Sequence, residues 1–336
     1  MDKIKASTLA DLAYYSRFRP PSRLITFAAP GTTLTNFPAL VKSNSTFHIG
    51  TSTGYDVHFQ DLAGNELYYD LDYFDPVTGN GAWWVLIPSL SSSGPTSIKM
   101  LYGDSSVTTN GSTPSAVWAD YSYVYHFSDI NDLTSRVGSY TISDVSTGGI
   151  TATVSMAPTG ITGTGRRIYL TTGYGSDAYR LQVAPAFNTN TGTISMWGYT
   201  ENPWTVGRSI QIDTGWKRFK WWVGQSKFVT RAAAAAEVTM TMASTGGFYM
   251  YGGSTNTTSA GWSVNGEIQD TTGAYYGYMR WDDPQISAVG YTSSPTDMTL
   301  DEFRISLTTY HSSEWLQYEQ NQAKDHLTYT TYGPEA

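Results

Sequence analysis

From Arg23 onward, apolar residues recur at every second position. LITF, ALVK, DVHF, LYYDLDYF, AWWVLIP and SIKMLYG are runs of this kind, each bounded by Gly, Asn, Pro or Ser. Side chains of a strand alternate between its two faces, so the runs predict strands and their regular spacing predicts an antiparallel sandwich. Gly79-Asn80-Gly81 and SSSGP (residues 91–95) carry turn chemistry. TTNGSTPSA (residues 108–116) is small and polar and reads as a linker or long loop. A second set of strands runs from about Trp118 to Leu307: YVYHF, RRIYL, YRLQV, TISMWGY, FKWWVG, EVTMTM, GFYMYG, GWSVNG and ISAVGY. RAAAAAE (residues 231–237) reads as a turn or a single helical coil.

Two stretches break the period of two. In residues 8–16, Thr8 and Asp11 resemble a capping box, with Leu9, Leu12 and Ala13 on one side, and Pro20-Pro21 ends the helix. Near the C-terminus, Ser312 or Ser313 caps a helix over EWLQYEQNQ whose apolar side is Trp315, Leu316 and Tyr318. The expected fold is all-β: two β-sandwich or jelly-roll domains with a short N-terminal arm and a short C-terminal helix. The expected boundaries are 1–22 for the arm, 23–107 for a small sandwich, 108–117 for a linker and 118–330 for the larger domain.

One strand raises a question of chemistry. In TLDEFRISL, one face carries Asp301, Phe303, Ile305 and Leu307, and the other Glu302, Arg304 and Ser306. The second face reads as wet and the first as core, apart from Asp301. Burying a carboxylate without partners costs several kcal/mol. Asp301 therefore binds metal, does chemistry or ties loops together.

Composition narrows the function classes. Only 14% of residues are charged and the net charge is −8, which does not suggest nucleic acid as a partner. The 25 Tyr, 11 Trp and 12 Phe suit pleated sheets. There is no cysteine, so no disulfide contributes. The N-terminus, MDKIKASTLADLAYYSRFRPP, has no apolar run of signal-peptide or membrane-span length, so synthesis in a cytoplasm without membrane insertion is expected.

No catalytic constellation emerges. A retaining glycosidase needs two carboxylates about 5 Å apart, and Glu66, Asp70, Asp72 and Asp75 have the wrong spacing. Asp70 and Asp72 share a strand face and read as a solvated edge. His48, His58, His126, His311 and His326 are not at metal-ligand spacing. DINDLTSRVGSY (residues 129–140) starts like a calcium loop but lacks the closing Glu. The chain therefore reads as non-enzymatic, without catalytic residues, metal or cofactor. The aromatic–basic strands are more suggestive. Arg218, Lys220 and Trp222 share one strand face, and Tyr276, Tyr278 and Arg280 another. Such sets stack on sugar rings or form protein contacts, although Trp in the core and Lys and Arg toward solvent is the plainer reading.

Residues 55–104 carry a more specific signal. Asp56, Phe59, Asp61, Gly64, Leu67, Trp84, Val85, Pro88, Ile98, Tyr102, Gly103 and Asp104 follow the pattern of a small β-sandwich family of unknown function, often found beside laminin-G-like domains. The chain resembles that family over about residues 23–105. The following block resembles a laminin-G-like, concanavalin-type jelly roll through YVYHF, GTISMWGYT, WSVNGEIQDTT and TLDEFRISLTTYHSSEW. It departs from that pattern at His311 and over residues 200–260. The resemblance implies that Asp301 is structural, accepting hydrogen bonds at a sheet edge. Such domain pairs occur in phage structural proteins and in bacterial surface proteins. The resemblance therefore implies a virion structural or adhesive protein, such as a head decoration, fibre or tail adhesin, with host-surface glycan as a partner. The alternative is a carbohydrate-binding module of a bacterial surface protein. A homo-oligomer is expected. Leu9, Leu12, Tyr14 and Tyr15 would anchor the arm to other virion proteins of the capsid or tail.

Overall fold

The computed structural model of the protein describes residues 20–144, 152–157, 160–170, 179–189, 191–200 and 296–336, and between 200 and 296 the strands alone. The expected helix over residues 8–16 lies outside the described residues. What is described is all-β, with one helix longer than a single turn.

Seven strands come first: β1 Ser22–Phe27, β2 Leu34–Ser43, β3 His58–Gln60, β4 Glu66–Leu67, β5 Tyr69–Phe74, β6 Gly81–Leu90 and β7 Thr96–Leu101. They correspond to the alternating runs of the sequence. Three of them, β2, β6 and β5 in that order, make one sheet. The facing sheet has the order β1, β7, β3, β4, with the C-terminal strand Thr330–Glu335 outside β1. That last strand was not among the expected elements. It pairs with β1 from Arg23 opposite Glu335 to Phe27 opposite Thr330. Ile25, Phe27, Phe59, Ile98 and Met100 point inward to the shared core.

The three-stranded sheet is covered on both sides. Six of the first seven residues of β6 are buried, as in a strand with apolar contacts on each face. The helix Ser313–Lys324 lies on β2, where Phe37 meets the ring of Trp315 edge-on at 4.9 Å and that of Tyr318 at 5.3 Å. Ser312 caps this helix, its hydroxyl accepting from the Trp315 N–H. Trp315, Leu316 and Tyr318 are buried as expected, but so are Glu319, Gln320 and Gln322. The helix also touches strands Tyr249–Thr255, Ser259–Val264 and Glu267–Thr272 of the larger domain, so it is wedged between both sheets.

Among the described residues, the larger domain has an eight-stranded and a seven-stranded sheet. Strand Thr296–Ser306 is central in the first, between Gly165–Leu170 and Gly192–Thr200, and also pairs with Tyr123–Tyr125. Residues 108–117, read as a linker, lie against the first sandwich. The Thr113 N–H donates to the Tyr69 carbonyl at 2.7 Å and the Ser112 hydroxyl to Asp70 Oδ1 at 2.9 Å.

The reading of TLDEFRISL as one wet and one dry face is overturned. Glu302, Arg304 and Ser306 are buried along with Asp301, Phe303 and Ile305. The register against Gly192–Thr200 shifts between Ser195 and Trp197, and Glu302 has φ 50°. An inserted residue at such a bulge resets the alternation, so the side chains after it no longer follow the earlier phase.

Candidate functional site

The bulge delivers acidic side chains into the seam between the two sandwiches, where they meet acidic and basic groups from the other side. Asp70 and Asp72 come from β5. The expected solvated edge is not there: Asp70 is fully buried, and neither carboxylate oxygen of Asp72 reaches solvent. The reason is tertiary, since the second sandwich covers that face.

Asp70 is held from several sides. Its Oδ2 accepts from Trp118 Nε1 at 2.8 Å and Arg136 Nε at 3.2 Å, and lies 3.0 Å from His126 Nε2. Its Oδ1 accepts from the Ser112 hydroxyl and from Arg136 Nη2. Burial opposes the charge, but the His126 and Arg136 contacts outweigh it and hold the carboxyl well below its usual range. His126 also reaches Glu302: its Nδ1 lies 2.9 Å from Glu302 Oε1. Burial disfavours the imidazolium, while the charges of Glu302 and Asp72 favour it more, so the His126 pKa is raised.

Glu302 continues the chain of charges. Its Oε2 accepts from Arg304 Nη2, and Arg304 Nη1 donates to Glu319 of the C-terminal helix. The Arg304 guanidinium lies 4.1 Å from the Trp84 ring centroid and 4.5 Å from that of Trp118, cation–π distances that suit a planar cation. Burial pushes Glu302 up, but His126 and Arg304 together bring it down to about 2.

Asp72 and Asp301 are less well served. Asp301 Oδ2 accepts from the Ile161 N–H at 2.6 Å and the Thr162 N–H at 3.4 Å, while its Oδ1 has no donor. Gly160 makes this loop possible: a Cβ there would lie 2.5 Å from Asp301 Oδ2 and 2.5 Å from the Thr164 carbonyl oxygen. Neither oxygen of Asp72 has a donor in hydrogen-bond geometry. The Thr162 hydroxyl is directed to Glu302 Oε1 at 3.4 Å. Burial raises Asp72 to about 8, with the charge of His126 opposing and that of Glu302 reinforcing the shift. Burial, then the charges of Glu302 and Asp72, raises Asp301 well above the carboxylate range. Lys42 of β2 closes this side, its Nζ donating to the Ile161 carbonyl at 2.6 Å. Its pKa is lowered, burial outweighing the nearby charges of Asp301, Asp72 and Glu302.

Asp72, His126 and Glu302 each offer one ligand atom, and these atoms all lie within 4.8 Å of one another. Sequence spacing gave no hint of this set, because its members come from three distant segments. The continuous apolar run AWWVLIP was the available signal: a strand buried on both faces requires a cover over the neighbouring β5.

The residues proposed for ligand contact fall elsewhere. Lys220 and Trp222 lie on the strand Phe219–Val223 of the seven-stranded sheet, and Arg280 lies on Met279–Trp281, which among the described strands pairs with Phe187–Thr189. The backbone pairing thus places the two aromatic–basic strands in different sheets. Arg218, Tyr276 and Tyr278 lie outside the described residues, as do Leu9, Leu12, Tyr14 and Tyr15.

Residues 53–142 match the model of a family described as a domain of unknown function, DUF2341. The match takes in Asp70, Asp72, Trp118, His126 and Arg136 but stops before Glu302. No curated protein matches the chain. Among solved structures, similarity is found to the binding domain of Paraclostridial Mosquitocidal Protein 1, at 12% identity and TM-score 0.44, covering 61% of this chain and 52% of that one. The Botulinum neurotoxin serotype D binding domain gives 12% identity and TM-score 0.44, covering 62% and 52%. Domain 4 of AbnA, a GH43 extracellular arabinanase from Geobacillus stearothermophilus solved with arabinotriose, gives 17% identity and TM-score 0.41, covering 60% and 98%. The chain thus spans about half the length of the two toxin binding domains, at 52% each.

Proposed function

We propose that the chain is a non-catalytic attachment protein, in which the small sandwich supports the larger one and the larger one binds a surface glycan. The observation that carries this reading is the seam. Among the described residues, the carboxylates Asp70, Asp72, Asp301 and Glu302 gather at the seam, sealed between the sandwiches with their oxygens away from solvent. They are closed off from a substrate, and the pairing of Asp70 with His126 and Arg136 fastens one sandwich to the other. That suits a body that transmits force from an anchored end to a binding end.

The finer form of the reading is an adhesive component of a phage particle, anchored through residues 1–22. It draws on the resemblance of the domain pair to pairs in phage structural and bacterial surface proteins. Glycan contact is assigned to the aromatic–basic strands that carry Lys220, Trp222 and Arg280, because aromatic faces stack on sugar rings. Binding of the full chain to a panel of bacterial surface polysaccharides tests this. Retention on at least one polysaccharide is expected, weakened in Trp222→Ala. Sugar release that disappears on replacing a single Asp or Glu would overturn the non-catalytic reading.

A further inference from the structure

We propose that Asp72, His126 and Glu302 bind one first-row divalent metal ion, Zn2+ or Mn2+, at the seam between the two sandwiches. Ligands of one such ion sit about 2.0–2.2 Å from it, so neighbouring ligand atoms lie about 3 Å apart. His126 Nδ1 and Glu302 Oε1 are 2.9 Å apart, and the Asp72 ligand atom completes a set within 4.8 Å.

Independent observations point to a cation at this place. The Oδ1 of the fully buried Asp301 lacks a donor, and neither oxygen of Asp72 is in full hydrogen-bond geometry with the neighbouring Thr162 hydroxyl or Glu302 carboxyl. Two carboxylates at close quarters require a proton or a cation between them.

The surroundings have the form that metal-bound histidines require. Such a histidine gives its second ring N–H to a carboxylate, which fixes the tautomer and aims the first nitrogen. Asp70 Oδ2 lies 3.0 Å from His126 Nε2 and is itself pinned by Trp118, Arg136 and Ser112. The backbone is unusual at both places: Glu302 has φ 50°, and Phe127, next to His126, has φ 59°. Left-handed backbone at non-glycine residues costs free energy and gathers where side chains must be re-aimed.

Charge is compatible with such an ion. Five carboxylates have oxygens sealed in the seam: Asp70, Asp72, Asp301, Glu302 and Glu319. Lys42, Arg136 and Arg304 supply three positive charges. A dication with neutral His126 balances the set with every carboxylate ionised, and an imidazolium His126 with one shared proton balances it equally, so the two occupants are told apart by experiment. One imidazole and two carboxylates without thiolate suit Zn2+ or Mn2+ better than Ca2+ or Mg2+.

The full chain would be treated with EDTA, desalted, incubated with Zn2+ or Mn2+, desalted again and measured for metal by mass spectrometry. Wild type is expected to retain one equivalent, to melt several degrees lower after EDTA and to recover on metal addition. Asp72→Asn is expected to lose the metal and melt like the chelated wild type. Asparagine imitates a protonated aspartate, so a metal-free Asp72→Asn that melts at or above wild type would overturn the proposal in favour of a shared proton. Undiminished metal in Asp72→Asn, or a wild type that retains none, would also overturn it. Should Asp72→Asn fail to fold, Co2+-substituted wild type decides. Visible ligand-field bands support the site, and a spectrum like that of aqueous Co2+ overturns it.

Discussion

Gln322 and Leu40, 282 residues apart in sequence, are joined by both polar groups of the glutamine side chain. The Leu40 N–H donates to Gln322 Oε1 at 3.0 Å, and Gln322 Nε2 donates to the Leu40 carbonyl at 3.4 Å. The side-chain amide thus imitates a neighbouring strand at the middle of β2. Gln322→Ala removes both bonds and leaves a buried N–H without an acceptor, a loss of about 1–3 kcal/mol. Urea unfolding should show a lower midpoint with an unchanged slope.

Arg304 is expected to be the most sensitive position of the seam. Its guanidinium joins Glu302 to Glu319 and lies against two indole rings. Arg304→Ala leaves buried Glu319 without its cation and Glu302 with His126 alone, at a cost of about 3–5 kcal/mol. Arg304→Lys keeps the charge but not the forked geometry, and should fall between the two. Denaturant titration of the three proteins gives the order directly.

His311 and His326 make the fold sensitive to acid. Burial holds both pKa values down at about 3. Both are therefore neutral in the native state and take up protons on unfolding below the ordinary value of 6.5. A depressed histidine contributes stability that is present above 6.5 and is lost as pH falls toward 3. The melting temperature should fall steadily across that window. His311 stacks on Trp315 at 4.2 Å and its Nε2 has no hydrogen-bond partner. His311→Phe should keep the stack and make the acid limb shallower.

Gly160→Ala should lower stability by about 1–3 kcal/mol, since the added methyl meets a backbone carbonyl and the Asp301 carboxylate together. If the loop moves, the Ile161 and Thr162 N–H groups lose their acceptor. Faster amide exchange at those two positions in the variant would report this.

The arm can be removed without touching the sandwich only if the cut respects the first strand. The Pro21 carbonyl accepts from the Tyr102 N–H at 3.1 Å, and Ser22 is already paired. Deleting residues 1–19 should therefore leave the melting transition unchanged while abolishing incorporation into particles, if the arm is the anchor. Normal incorporation of the truncated chain would rule out that role.

The strands were legible because period-two alternation is local. LITF, AWWVLIP and TISMWGY each became a strand close to where the pattern put it. The seam was not legible, because its burial comes from contacts between distant segments. Asp70 and Asp72 alternate with apolar residues as a solvent-facing row would, and so do Glu302 and Arg304. Only the packing of the two sandwiches against each other turns those rows inward. The bulge at Glu302 added a further obstacle, since an inserted residue shifts the phase without leaving a mark in composition.

The C-terminal strand has a consequence for how the chain folds. Thr331 bonds Thr26 across 305 residues, and the Ser22 N–H meets the Ala336 carbonyl at 3.2 Å. A sheet that includes Ser22–Phe27 thus waits for the strand Thr330–Glu335 before it is complete. Until then β1 presents an open edge, an invitation to pair with another chain. Contacts this distant in sequence slow folding and lengthen that exposure. Refolding should accordingly show a slow final phase in which the first sandwich closes, and chains stopped short of residue 330 should aggregate during synthesis.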